Sequence, residues 1–215
     1  MWGEQEKHKN ALHIHLPQED ITFIFLNLDT RVEDFKFWMA HELAHVYTPH
    51  LAGTEEGEDF ADTFAGKLLF PVSLAKDAYN KISKLNTQKL KVEALEVVAR
   101  EHTISLYTVF SQINAYAEDN DLSKLGVSEK SVHQLRNIHV SEKVSEKLFG
   151  EKQPTARKYL RECTKKFKTS FFDTLGKMIL ERDVAAGYLQ QVLSVTHAEA
   201  SELHQVLVDG RTRTS

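Results

Sequence analysis

The chain opens with two short apolar segments and continues as a series of helical patterns. Residues 11–16 and 21–28 are rich in Ile, Leu and Phe, and a polar break from Pro17 to Asp20 separates them. Short runs of this kind predict two β-strands, which the polar break would join as a hairpin. From Thr30 onward the apolar residues recur at a helical spacing, so the remainder of the chain is predicted to be helical.

Proline, glycine and capping residues divide the helical part of the chain. A first helix is predicted over residues 31–47, because Pro49 discourages its continuation and Gly53 marks a turn. A second helix is predicted to begin with Thr54 as N-cap and an acidic first turn, and to end before Pro71. Further helices are predicted over residues 72–84, 87–102 and 105–118, and helical segments with breaks near 150–154 and at Gly210 follow residue 128.

These elements predict an α+β fold that is mostly α. The short N-terminal strands should pack on the first helix, and an all-helical extension should follow. Residues 118–124 are polar and predict a loop, and we predict a boundary near residues 120–128, with one domain over residues 1–125 and the extension over 126–215. Several apolar side chains at helical spacing are predicted to be core residues: Phe35, Met39, Phe60, Phe64, Leu68 and Leu69.

The first helix carries the sequence His41-Glu42-Leu43-Ala44-His45. Residues four apart lie on one face of a helix, so His41 and His45 can bind one metal ion. Glu42 projects from a neighbouring position and could act as a general base on a water that zinc activates. Since the motif fixes only three letters, an ordinary helix with two histidines is the competing interpretation.

The next predicted helix strengthens the metal hypothesis. Glu58 supplies the carboxylate that a catalytic site with two histidines and one glutamate requires. Asp62, four residues later and on the same face, can accept a hydrogen bond from a ligand histidine and fix its tautomer. The strands just upstream would provide an edge on which a peptide substrate can pair. The sequence therefore predicts His41, His45 and Glu58 as metal ligands.

Two blocks of sequence also resemble a known family. The first is Lys36-Phe37-Trp38-Met39-Ala40 followed by the histidine motif, and the second runs from Glu58 through Ala61-Asp62 and Phe64-Ala65 to Leu68-Leu69-Phe70-Pro71. Both are similar to the signatures of the ImmA/IrrE metallopeptidases. The resemblance covers about residues 10–122 and departs from the family at Ala44, where glycine is usual.

The resemblance implies a gluzincin-like site on a zincin-like helix, with His41, His45 and Glu58 as ligands and Glu42 as base. It also implies a protein substrate, typically a helix-turn-helix repressor that is cut to derepress mobile-element or stress genes. Zinc suits such ligands, while manganese or iron is an alternative. A second hypothesis is a metal-containing regulatory module that binds its partner with little or no cleavage.

Composition adds weaker expectations about partners and location. The formal charge of −4 gives no overall argument for nucleic acid, the single Cys163 excludes an intrachain disulfide, and no apolar run is long enough to span a bilayer. The first ten residues lack the apolar core of a signal peptide, so we expect a cytoplasmic protein. The basic segment 152–168 could bind nucleic acid, although a solvated helix face is preferred. The acidic segment 31–70 could favour a basic substrate.

Other polar residues have less defined roles. His50, Tyr47, Tyr107 and His102 are candidates by type for stabilising an oxyanion, and packing is the alternative for both tyrosines. His13 and His15 alternate along the first strand and share one face. We interpret both as surface imidazoles, with a place beside the substrate cleft as the alternative.

Overall fold

The computed structural model describes residues 10–18, 20–138, 142–150, 154–193 and 195–212. The described residues form two compact units, one ending at Glu142 and one beginning at Lys143. The first contains a two-stranded sheet and six α-helices, and the second contains α-helices only. The predicted fold class, mostly α with short N-terminal strands, is therefore confirmed.

The sheet is the predicted hairpin. Strands β1 (Ala11–Leu16) and β2 (Ile21–Leu26) are antiparallel, with Ala11 opposite Leu26 and Leu16 opposite Ile21. β2 ends before Leu28, since the Asn27 carbonyl accepts a hydrogen bond from the Thr30 hydroxyl at 2.8 Å and a turn begins there. Because side chains alternate along a strand, His13 and His15 point to one face of β1 and Leu12, Ile14 and Leu16 to the other.

The two helices that follow pack against each other, and the hairpin contacts the first of them. Helix α1 (Val32–Tyr47) is separated from α2 (Glu55–Leu69) by a short 3₁₀ turn at Pro49–Leu51. The predicted N-cap of α2 is confirmed, because the Thr54 side chain accepts from the Gly57 amide at 3.1 Å. Both helices bury alanines, namely Ala40, Ala44, Ala61 and Ala65, and such small side chains allow two helices to approach closely.

Four further helices complete the first unit: α3 (Val72–Ile82), α4 (Gln88–His102), α5 (Leu106–Asp119) and α6 (Glu129–Ile138). Their shared core includes Leu95, Val109 and Ile113, each with no exposed surface. The compact unit extends past the boundary expected after residue 125, because Leu125 and Val132 belong to the same core. The division of the chain into functional domains at that boundary stays a prediction.

The second unit contains five helices in its described part: α7 (Val144–Phe149), α8 (Ala156–Phe167), α9 (Phe171–Arg182), α10 (Ala186–Leu193) and α11 (His197–Thr212). Its core includes Leu175, Ile179, Leu189 and Leu203. The predicted break at Gly210 is wrong, because α11 continues through it. One glycine costs a helix only about 1 kcal/mol relative to alanine.

Three of the predicted core residues are exposed instead. Met39, Phe60 and Leu68 keep 44%, 39% and 52% of their surface, whereas Phe35 is buried as expected. Phe64 and Leu69 are partly buried. Apolar spacing predicts which residues share a helix face but does not show that another element covers it. No helix in the described part of the chain is both long and apolar enough to cross a membrane.

Candidate metal centre

Helix α1 brings two imidazoles to one buried position. His41 and His45 are separated by one helical turn and keep only 4% and 2% of their surface. Their Nε2 atoms lie 3.2 Å apart. The Trp38 ring meets His41 edge-on, with ring centroids 5.1 Å apart, and restricts the rotation of that imidazole. The two rings therefore present their outer nitrogens to a common point.

Helix α2 supplies a carboxylate to the same point. Glu58 Oε2 lies 3.3 Å from His41 Nε2, and Glu58 Oε1 lies 3.6 Å from His45 Nε2. Gly57, the residue before Glu58, explains how α2 comes so close to the 3₁₀ turn that precedes it. A Cβ on the buried Gly57 would lie 2.2 Å from the Leu51 carbonyl oxygen, so only glycine fits there without a backbone shift.

The spacing of these atoms can be tested against the requirements of a metal. A tetrahedral zinc site with bonds of about 2.0–2.1 Å separates neighbouring nitrogen and oxygen ligands by about 3.3–3.4 Å. The three separations of 3.2, 3.3 and 3.6 Å are close to that value. Two imidazole nitrogens and an anionic carboxylate are all electron-pair donors, and a cation between them balances their mutual repulsion. The residues present fit a divalent cation.

Asp62 lies behind His41 as the sequence predicted. Its Oδ1 is 2.9 Å from His41 Nδ1, one turn of α2 beyond Glu58. A proton on Nδ1 satisfies this bond and leaves the lone pair of Nε2 directed at the candidate cation position. This geometry suits the role predicted for Asp62, which is to fix the orientation and the tautomer of this imidazole.

His45 lacks such a partner. Its Nδ1 is buried and has no hydrogen-bond acceptor or donor among the described residues. Burial lowers the pKa of His45, and the neighbouring His13 and His41 lower it further, while Glu58 and Glu42 oppose these effects. The neutral form, which is the form that binds a metal, is therefore favoured.

Glu42, the predicted base, is also buried, at 6% of its surface. Its Oε2 lies 2.7 Å from Nδ1 of His13, which reaches it from strand β1. The His13 ring stacks on the His45 ring, with centroids 4.4 Å apart and planes at 25°. The expectation of a surface imidazole is therefore wrong for His13, which occupies the alternative position beside the cleft. His15 pairs with Thr22 at 3.0 Å instead.

A cleft of about 350 Å³ opens onto this cluster. One wall is formed by Asn10 and the start of β1, up to His13, and the other by the α1–α2 pair. The sheet has the order β1–β2, so β1 keeps one unpaired edge among the described residues. A segment of extended chain could pair with such an edge. The site therefore combines a candidate metal position, a carboxylate base and a place for a peptide backbone.

The residues proposed by type as oxyanion donors do not line the cleft. Tyr47 and His50 are exposed, and His102 meets the Phe70 ring edge-on at 5.5 Å. Tyr107 donates to Glu129 at 3.2 Å, and its pKa is raised first by burial, then by that carboxylate and weakly by Asp62. The oxyanion role considered for these four residues therefore has no support from the lining of the cleft.

Other sequence features lie outside this site. Cys163 is buried in α8, in agreement with a packing role, and burial raises the pKa of its thiol. Several basic residues of segment 152–168, including Arg157, Arg161 and Lys165, are exposed. Arg161 forms an ion pair with Glu162 at 3.1 Å. The first residues of the segment, 152 and 153, lie outside the described residues.

The structure thus brings together His41, Glu42, His45, Glu58 and Asp62, and the roles assigned to them stay predictions. It also places His13 beside the cleft, which was the alternative for this residue, and adds Gly57, which the sequence did not identify. The alternation of side chains along β1 indicated on which strand face His13 lies. Gly57 was visible in the sequence as the residue before Glu58. Neither signal could specify which atoms these residues approach.

Comparison with known families gives an independent result. Residues 4–101 match the model of peptidase family M78, described as the IrrE N-terminal-like domain. The match includes β1, β2 and the two helices that carry the candidate metal centre, and it ends within α4. It covers less than half of the chain, and the helices of the second unit lie outside it. Neither curated proteins nor solved structures give a significant match.

Proposed function

We propose that the chain is a zinc-dependent metalloendopeptidase of peptidase family M78, whose IrrE N-terminal-like model matches residues 4–101. The observation that carries the proposal is the convergence of His41, His45 and Glu58 from two helices, with separations that suit one tetrahedral cation. The three ligands leave one position for a reactant, as catalytic zinc sites do and structural ones do not.

The donor set favours zinc. Two imidazoles and one carboxylate suit this borderline ion, and manganese or iron are the alternatives. A zinc ion held there would supply a Lewis acid that polarises the scissile carbonyl and acidifies the attacking water. The chain contributes the rigid placement of the ligands. Asp62 orients His41, and the small side chains between α1 and α2 hold the two helices close together.

Glu42 is the proposed general base. It takes a proton from the attacking water and transfers it to the nitrogen of the leaving amine. Its position next to His41 puts it beside the ligands without making it one of them. Its burial limits competing hydration of the carboxylate, and this favours proton transfer within the site.

The unpaired edge of β1 is the proposed binding site for the substrate backbone. An extended peptide would pair with residues 10–13, which form one wall of the cleft, and place its scissile bond before Glu42. Backbone pairing provides affinity with little dependence on side chains. Selectivity must then come from other contacts with the folded substrate.

The proposed substrate is a regulatory protein, and a helix-turn-helix repressor is the class that this family resemblance suggests. Support comes from the exposed acids at the start of α2, Glu55, Glu56 and Asp59, which would attract a basic DNA-binding protein. Such a partner places the chain inside the cell, in the cytoplasm. Transcriptional regulation, for example in a stress response, would then be the biological output.

The experiment is an incubation of the zinc-loaded chain with the product of the neighbouring gene, tested as a candidate substrate, followed by mass spectrometry of the products. We expect one defined cleavage, and we expect Glu42→Gln to lower its rate about 10²- to 10⁴-fold, the usual contribution of a general base. The variant should retain zinc and bind the repressor like the parent. Equal behaviour of parent and variant, with binding but no cleavage, would instead support the regulatory binding module.

A further inference from the structure

His13 contacts two different members of the candidate site, and both contacts come from one imidazole on strand β1. We propose that His13 is a positioning residue that holds the carboxylate of Glu42 through Nδ1 and the ring of His45 through stacking. The inference rests on the proposed function, since it assigns His13 a part in the same hydrolysis. Its evidence is geometric, and each contact can be removed separately.

The contact with Glu42 is a hydrogen bond and not a shared metal. His13, Glu42 and His45 also lie near enough to one another to form a second group of potential ligands. However, the 2.7 Å between His13 Nδ1 and Glu42 Oε2 is shorter than the separation of about 3.3 Å expected for two ligands of a tetrahedral ion. An ionised carboxylate only accepts, so Nδ1 is the donor.

This hydrogen bond determines which carboxylate oxygen of Glu42 is free to accept a proton. The bond uses Oε2, and Glu42 Oε1 has no protein partner among the described residues. A charge-assisted bond of this length fixes the carboxylate plane more firmly than a neutral one. His13 therefore restrains Glu42 and leaves Oε1 free to accept a proton from the attacking water. Without the donor, the carboxylate could rotate away from the productive orientation.

The stacking contact compensates for a missing hydrogen bond. Ligand histidines are normally oriented by an acceptor at the second ring nitrogen, as Asp62 does for His41. Among the described residues Nδ1 of His45 has no such acceptor, and the nearly parallel ring of His13 lies 4.4 Å from its ring. We infer that this ring holds His45 in the plane that directs Nε2 to the cation. His13, a strand residue, thus has the orienting role for His45 that the Asp62 carboxylate has for His41.

Two substitutions separate the two contacts. Asparagine carries an amide nitrogen near the position of Nδ1 but has no ring, whereas phenylalanine has a ring of similar size but no donor. His13→Phe should bind zinc like the parent and lower kcat about 10- to 100-fold with little change in KM. His13→Asn should retain kcat within a few-fold once loaded, but weaken zinc binding about 10-fold or more.

The matched control is the other histidine on the same face of β1. His15 pairs with Thr22 and lies outside the cleft, so His15→Phe and His15→Asn should leave both kcat and zinc affinity unchanged. Rate losses of equal size at both positions would indicate a general effect on the hairpin. That result would contradict a specific role for His13.

A second readout does not depend on cleavage. Nitrogen-15 NMR of the metal-free chain should show His13 protonated at Nδ1, and Glu42→Leu should shift that signal by removing the acceptor. Zinc competition with a chromophoric chelator measures the stacking effect in His13→Asn. If the parent cleaves nothing but these two results hold, the proposed function fails and the positioning role stands. The role is overturned if Nδ1 carries no proton, or if His13→Phe and His13→Asn both match the parent in every assay.

Discussion

The two compact units differ in what they bury. In the part of it that the structure describes, the unit ending at Glu142 buries six polar or charged residues, namely Thr30, His41, Glu42, His45, Ser105 and Thr108. In the described part of the unit beginning at Lys143, every residue classed as buried is apolar or small. Burying a polar group lowers stability unless a partner satisfies it. The first unit therefore carries a cost that the second does not.

Local structure explains half of these buried polar groups. Ser105 caps α5 by accepting from the Thr108 amide at 3.0 Å, and the two hydroxyls are 2.8 Å apart. Thr30 closes the turn after β2. The remaining three are His41, Glu42 and His45, which meet at the cleft. The buried polar residues that neither a helix cap nor a turn explains are therefore the ones that form the candidate site.

The largest effect that we expect from this comparison concerns the second unit. Leu203→Ala removes a side chain that is 1% exposed in an apolar core, so it should lower the free energy of unfolding by about 2–5 kcal/mol. Zinc affinity should not change, because the proposed metal ligands all belong to the first unit. Chemical denaturation and chelator competition on the same variant measure both quantities. A parallel loss of zinc affinity would contradict the assignment of these roles to separate units.

A smaller effect is expected behind the candidate metal position. Asp62→Ala removes the acceptor that orients His41 and should weaken zinc binding about 10- to 100-fold. Asp59→Ala is the matched control, since Asp59 is exposed on the same helix and belongs to no potential ligand group. Equal affinity of the two variants would show that Asp62 does not orient the ligand.

The smallest effect that we expect is a dependence of the stability of the metal-free chain on pH. The pKa of His45 is lowered, by burial first, so the folded metal-free chain binds fewer protons at this residue than the unfolded chain. Stability from this residue is therefore complete above the unfolded pKa of about 6.5 and decreases as the pH falls below it. Denaturation midpoints of the metal-free chain between pH 8 and pH 5 measure the decrease. His45→Phe should reduce the slope, and an unchanged slope would contradict the shift.

Much of this site could be predicted from local sequence patterns. The spacing of His41 and His45 determines that both lie on one helix face, and Thr54 with the acids after it determines where α2 begins. From these two facts the proximity of Glu58 could be expected, although not its distances. The hairpin was predictable for the same reason, because alternation and a turn signal are local properties.

Contacts between distant segments could not be predicted in the same way. The approach of His13 to Glu42 joins residues 29 positions apart and depends on the register of β1 against α1. The exposure of Phe60 and Leu68 depends on which faces of α2 are covered by α1 and α5, and helical spacing does not encode this. Cores and contacts across elements follow from tertiary packing, and a single sequence constrains that only weakly.

The most direct test of the account is X-ray absorption spectroscopy at the zinc edge on the chain loaded with one equivalent of zinc. A zinc ion held by His41, His45 and Glu58 should show nitrogen and oxygen ligands at about 2.0–2.1 Å with the outer scattering of two imidazoles, and His41→Ala should lose the bound zinc. A sulfur ligand from Cys163, or a spectrum that His41→Ala and Glu58→Ala leave unchanged, would contradict it.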